Sequence, residues 1–268
     1  MEQLSLFPHQ NTDGRPPETV TWNLWHGCTK VSSGCLNCYM YRRDEAIGKD
    51  PTVVYKTSSF GLPVAKFRSG EYAGRYKVPS GSLIYTCFSS DFFHPEADKW
   101  REDAWDIIRK RPDCDFFMIT KRPERIADNL PSDWGKGWDN VTIAVTAENQ
   151  EAADRRLPVY LVVPMCHYAV MIEPMLSAVK LRPYFKEFTL PGGRPLIGSV
   201  SLGGESGPHA RPCDFNWVLD VSRQCIENGV RFHYHQTGAK LIKDGKEYII
   251  PRKQQHSQAR KAHLDYSG

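Results

Sequence analysis

The chain has 268 residues, 40% apolar, 25% charged and 12% aromatic, with seven Trp, twelve Tyr and twelve Phe. That much apolar and aromatic surface excludes wholesale disorder and suffices for a sizeable core of one barrel-sized domain. The net charge is only +4, but residues 238–268 hold seven Lys or Arg against three Asp or Glu, so the whole surplus sits at one end.

Residues 1–19 read as a polar, Pro-rich arm. It lacks a basic stretch followed by an apolar one, so no secretory signal is expected. No run approaches the ~20 apolar residues that cross a bilayer. The most apolar stretch, 159–172, is broken by Pro164 and His167. A cytoplasmic protein with no membrane association is the expectation.

Strands are expected at 20–24, 83–88, 115–120, 141–145, 169–172, 197–202 and 230–235. Each is short, apolar and β-branched or aromatic, as strands buried on both faces are. Helices are expected over 96–111, 122–129, 150–157 and 215–228. In the first of these Ala97, Trp100, Ala104, Ile107 and Ile108 form one apolar stripe. Asn228 and Gly229 close the last with a C-cap signal. This alternation predicts an α/β fold, a partial or full (β/α) barrel over 20–238, with a doubly wound sheet as the alternative. Residues 239–268 form a basic C-terminal extension, suited to a polyanion or to solvent.

Polar, charged or Gly-rich residues follow almost every strand. In chain order they are Asn23; Ser89, Ser90, Asp91 and His94; Lys121 and Arg122; Glu148 and Asn149; Glu173 and Pro174; Gly203, Gly204 and Glu205; and Gln236 and Gly238. In parallel α/β folds these C-terminal strand ends converge on one rim, where sites are built.

Eight cysteines are present. Cys28, Cys35 and Cys38 follow the first strand with the spacing Cys-x6-Cys-x2-Cys. Cys87, Cys114, Cys166, Cys213 and Cys225 read as small buried hydrophobes, with Cys213, after Pro212, also a candidate reactive thiol. Three clustered thiolates suit zinc, Cu(I) or an iron–sulfur cluster. Structural zinc wants a fourth ligand, for which His26, Cys87 and Cys114 are the candidates. A [4Fe–4S] cluster takes three thiolates and leaves one iron open to an amine and a carboxylate, the two groups that S-adenosylmethionine offers. Spacing alone leaves both readings open.

The run from Trp22 to Tyr39, WNLWHGCTKVSSGCLNCY, resembles the opening of the phage radical-SAM-like family named for gene products thirty-seven and sixty-eight. Similar runs follow in the same order: Ser89–His94, Thr120–Arg125, Val145–Asn149, Ile172–Pro174 and Gly203–Pro212. The resemblance implies a radical-SAM-type barrel, a [4Fe–4S] cluster on Cys28, Cys35 and Cys38, S-adenosylmethionine as cofactor, and an electron donor such as flavodoxin or ferredoxin. By their position at the strand ends, Ser90 and Asp91 are expected to take the methionine ammonium and Lys121 or Arg122 the carboxylate. Glu148 and Asn149 contact the ribose, and Asn23, Glu173, Gly203 and Gly204 complete the cofactor cavity. His94, Glu205 and Gln236 are the catalytic candidates. The spacing departs from the commonest radical-SAM pattern, Cys-x3-Cys-x2-Cys. Leu24 stands where the family has Pro, and His235 where it has Lys.

The expected function is radical chemistry on a nucleic acid or nucleotide. The alternatives are radical chemistry on a small molecule or peptide, and a non-enzymatic zinc or cluster protein that binds DNA. Gln3, Leu4, Leu6 and Phe7 resemble the short peptide with which bacterial replication proteins dock on the sliding clamp, a second expected partner.

Overall fold

The computed structural model describes residues 14–268, so the clamp-like peptide at Gln3, Leu4, Leu6 and Phe7 lies outside the described residues. The described strands are β1 (Thr19–Trp22), β2 (Trp25–His26), β3 (Tyr55–Lys56), β4 (Leu83–Thr86), β5 (Asp115–Thr120), β6 (Val141–Thr146), β7 (Tyr168–Ile172), β8 (Ile197–Gly203), β9 (Cys213–Asp214), β10 (Arg231–Gln236), β11 (Lys240–Lys243) and β12 (Lys246–Ile249). The helices are α1 (Tyr39–Ala46), α2 (Asp98–Arg109), α3 (Gln150–Leu161), α4 (Arg182–Glu187), α5 (Phe215–Glu227) and α6 (Arg252–Arg260).

Seven strands form one parallel sheet in the order β1-β4-β5-β6-β7-β8-β10, curled into a half-barrel. Strand order follows chain order without reversal, which sets aside the doubly wound alternative, whose order turns back at a switch point. The edge strands β1 and β10 do not pair with each other, so the barrel is partial and one side stays open.

Alternation along the strands separates two layers. One face carries Ile84, Phe116, Met118, Ile143, Val145, Val170, Val200, Leu202, Phe232 and Tyr234, in the same core as Trp105 and Ile108 of α2, Leu157 and Tyr160 of α3, and Val218, Val221 and Cys225 of α5. Full burial of such a side chain contributes about 1.5–3 kcal/mol. The concave face carries Leu83, Tyr85, Phe117, Ile119, Ala144, Ala169 and Met171, several of them only partly covered.

All seven expected sheet strands form, with ends shifted by a few residues. The expected helix over 122–129 does not. Two 3-10 turns, Pro123–Arg125 and Ala127–Asn129, stand there instead. Pro123 pushes Arg122 out of the helical region, to φ −123° and ψ 58°. The helix expected to end at 157 continues through Pro158 to Leu161.

Residues 239–268 fold back on the sheet. β11 pairs with β9 and with β12. Beyond α6 the chain runs alongside β10, where Phe232 and Tyr266 exchange two backbone hydrogen bonds of 2.9 Å. Asp265 accepts from the Tyr234 amide at 2.8 Å, and His256 Nδ1 donates to the His235 carbonyl at 3.0 Å. The outward polar groups of this edge strand are thereby occupied, which blunts it against pairing with other chains. Among the described residues no helix is long and apolar enough to cross a membrane.

Candidate functional site

The three-cysteine loop lies over the C-terminal ends of β4, β5, β6 and β8, tied to each of them. Ser90, after β4, donates its hydroxyl to the Gly27 carbonyl, and the Gly27 amide donates to the Ser89 carbonyl at 3.1 Å. After β5, Arg122 is buried and reaches the loop from below. Its Nη2 donates to the Thr29 carbonyl at 2.8 Å and the Thr29 hydroxyl at 2.9 Å, and both Nη atoms stand 3.8 Å from Cys28 Sγ. Its Nη1 pairs with Asp91 at 3.0 Å.

Asp91 has four donors. The Thr120 hydroxyl at 2.7 Å and the Phe93 amide at 2.9 Å share one oxygen. The Lys121 amide at 3.0 Å and Arg122 share the other. Its carboxylate therefore fixes the turn that aims Arg122. His94 is also internal. Its Nδ1 accepts from the Glu96 amide at 3.3 Å, so the proton sits on Nε2, 3.1 Å from the Thr29 hydroxyl. Burial, with Arg122 adding to it, pushes the imidazole below its ordinary value and keeps it neutral.

At the end of β6, Glu148 is fully buried beneath Gly34. A Cβ on Gly34 would stand 2.8 Å from the Glu148 carboxyl carbon, so only glycine lets the loop rest there. Arg156 Nη1 pairs with Glu148 at 2.6 Å and also donates to the Thr146 carbonyl at 2.7 Å. Burial alone would lift the Glu148 carboxyl, but Arg156, the Ser32 hydroxyl and Lys121 together outweigh it and hold the group below the usual carboxylate range. Its Oε1 is buried without a hydrogen bond. Asn149 caps α3, accepting from the Ala152 amide at 2.8 Å, and its amide lies 3.4 Å from the Ser33 hydroxyl.

Beyond β8, Glu205 grips the loop between its last two cysteines. Asn37 Nδ2 donates to Glu205 at 3.0 Å and to the His209 carbonyl at 2.8 Å. Arg211 supplies Nε at 2.9 Å, its amide at 2.8 Å and a closer Nη2. Burial raises the Glu205 carboxyl, and Arg211 more than reverses that.

All three thiols are half-buried, and the Tyr41 hydroxyl donates to the Cys28 carbonyl. Burial pushes the Cys28 thiol up to about 11 even with Arg122 pulling it down. Among the described residues no three His, Cys, Asp or Glu converge closely enough to share one metal ion. His26, a candidate fourth ligand, is paired instead with Asp44 of α1. Cys166 is exposed rather than buried, and Cys213 is fully buried with its thiol pushed to about 12, which removes it as a reactive thiol.

Glu173, Gln236, Gly203 and Gly204 gather at the other end of the rim. Gln236 Nε2 donates to Glu173 Oε1, and His235 Nδ1 lies 2.8 Å from Oε2. Gly203 lies against the Glu173 carboxylate, and the Gly204 amide donates to the Gln236 carbonyl at 3.0 Å. Asn23 accepts from the Ser89 amide at 3.0 Å. The Lys121 side chain is half-exposed and meets no acid within ion-pair distance among the described residues.

Arg156 and Asn37 join the site without having been expected there, and His235, which stands where the resembled family has Lys, lies 2.8 Å from the Glu173 carboxylate. Arg156 had a signal: it sits among Ala152, Ala153, Leu157 and Tyr160 on the buried stripe of α3, where a charge demands a buried partner. A family model described as "Protein of unknown function (DUF5131)" matches residues 18–265. No curated protein and no solved structure matches.

Proposed function

Because the chain belongs to this family of unknown function, its site must carry the assignment, and we propose that it is a radical S-adenosylmethionine enzyme. Cys28, Cys35 and Cys38 hold a [4Fe–4S] cluster. The carrying observation is three thiols on one short loop, braced by four strand ends at the C-terminal rim of a parallel half-barrel. The donor set fits such a cluster. It is all thiol, and thiolates on separate irons stand wider apart than ligands of a single ion. Its sulfurs are half-buried, so part of each is left open to a ligand.

When bound, such a cluster supplies one electron to the sulfonium of S-adenosylmethionine chelated at its open iron, releasing methionine and the 5′-deoxyadenosyl radical. The chain's residues position this chemistry. The Arg122 cation beside Cys28 Sγ favours the thiolate a metal needs, and Asp91, Thr29 and His94 hold Arg122 and its loop in place. Glu148 and Asn149 act on the loop from beneath rather than on a ribose, because one is buried and the other caps a helix. Lys121, half-exposed and in no ion pair among the described residues, pairs with the methionine carboxylate. Glu173, Gln236 and His235 face the trough where substrate lies. A one-electron donor such as flavodoxin or ferredoxin is a required partner.

The test is anaerobic reconstitution with iron and sulfide, followed by reduction in the presence of S-adenosylmethionine. A brown protein with four irons and four sulfides per chain that forms 5′-deoxyadenosine is expected from the cofactor's composition. The same treatment of a Cys28→Ala, Cys35→Ala, Cys38→Ala variant gives neither. Stoichiometric zinc without sulfide, or a cluster that leaves S-adenosylmethionine intact, overturns the proposal.

A further inference from the structure

The open side of the half-barrel is walled by β10 and the segment that runs back along it, and this wall carries three histidines and two exposed arginines. His233 and His235 lie on the same face of β10, their side chains 52% and 43% exposed. The ladder between β10 and β8 shifts register between Tyr234 and Gln236, so His235 is the extra residue of a bulge, the device by which strands re-aim a side chain near a site. The His256 ring stands 4.7 Å from that of His235, which stands 5.9 Å from that of His233.

In all three imidazoles Nδ1 is occupied from within: by Asp265 at 3.1 Å, by Glu173 at 2.8 Å and by the His235 carbonyl at 3.0 Å. Every Nε2 is left for a ligand. Arg252 and Arg260 lie one helical turn to either side of His256, on the same face of α6, at steps of ~6 Å. Both are exposed, and neither meets an acid within ion-pair distance among the described residues. The two carboxylates in this wall, Asp265 and Glu173, are engaged by His233 and His235 rather than by the arginines.

Resting on the radical-enzyme reading, we propose that this wall seats a nucleic-acid strand, with Arg252 and Arg260, ~12 Å apart along α6, on alternate phosphates and the histidine rings against sugar and base, so that one nucleotide enters the concave trough of the half-barrel. Two exposed guanidinium groups, unpaired with any acid among the described residues, fit the phosphates of a strand. Aromatic faces beside them suit unstacked bases rather than a closed duplex. A small anion would need only one such group.

The experiment measures anisotropy of a labelled single-stranded oligonucleotide with the full chain at about 50 and about 200 mM salt. The wild type binds at low salt and weakens at high salt. Arg252→Gln with Arg260→Gln weakens binding at least tenfold and lowers the log–log salt slope by about 1.4, two contacts at ~0.7 each. Arg155→Gln with Arg223→Gln, the same charge change on exposed positions of α3 and α5, leaves both unchanged. Charge reversal, Arg252→Glu with Arg260→Glu, gives a larger loss, with melting curves confirming the fold. Absence of binding at low salt, an equal loss in the α3 and α5 variant, or equal binding of a polyglutamate peptide overturns the proposal. The triple Cys→Ala variant separates this failure from that of the cluster. Strand binding that persists there, in a protein whose wild type forms no 5′-deoxyadenosine, sinks the cluster and keeps the wall. 5′-Deoxyadenosine formation without strand binding does the reverse.

Discussion

On the Glu173 carboxylate, burial acts to raise the pKa, but His235 and Gln236 outweigh it and hold the group below the ordinary value of 4.5. Burial acts to lower His235, but Glu173 outweighs it and holds the imidazole above 6.5. The raised histidine contributes stability in full below pH 6.5 and loses it as pH climbs through its folded value. The depressed carboxyl contributes in full above pH 4.5 and loses it as pH falls through its own. The pair is therefore at full strength between pH 4.5 and 6.5. Urea titrations of the wild type and His235→Gln should differ most in that window and converge outside it. Solvent screening of this half-exposed imidazole limits the difference to about 1 kcal/mol. A constant difference from pH 4 to about 9 would show that the two groups do not titrate against each other. At this scale the sequence displayed the rim carboxylates but not their partners. Glu148 and Glu205 stand directly after strands, where convergence is expected, whereas Arg156 and Asn37 reach them from a helix face and from inside the loop. Spacing says nothing about such distances across the fold.

Among the elements, the parallel strands were legible because burial on both faces leaves uninterrupted β-branched and aromatic runs, as in Val141–Thr146, where every residue is buried. α6 was not. Its sequence, RKQQHSQAR, buries only Gln255 and Ala259, and it is held by hydrogen bonds to an edge strand rather than by an apolar stripe. The turn after β5 was misread for a local reason, since Pro123 blocks the helical conformation of the residue before it. Removing residues 251–268 would bare the β10 edge at Phe232 and Tyr234. Light scattering on the truncated chain should show self-association that grows with concentration, while the full chain keeps a fixed mass under the same conditions. A truncated chain that stays as dispersed as the full one would mean that the segment is dispensable to the sheet.

For the molecule as a whole, the half-barrel was foreseeable from strand count and order, but the openness of one side was not. Closure depends on whether the first and last strands meet, and no local pattern encodes that. A ligand that binds only the folded chain raises its stability by mass action, by about 2.7 kcal/mol at a hundredfold excess over its dissociation constant. For a chain of this size that amounts to about 5–10 °C in Tm. Anaerobically loaded protein should therefore melt above chelator-stripped protein by that margin, with residues 27–38 protected from proteolysis. Equal melting points and equal cleavage would place the three thiols outside any such linkage.

The bracing of one short loop by four different strand ends has a consequence for spectroscopy. A sheet that flattens or tightens moves Ser90, Arg122, Glu148 and Glu205 apart or together, and the sulfurs must follow. On the proposed reading, a cluster held by those sulfurs would serve as a curvature gauge, its magnetic resonance line shape drifting whenever an occupant of the trough, or a substitution on the distant edge, bends the wall that carries it.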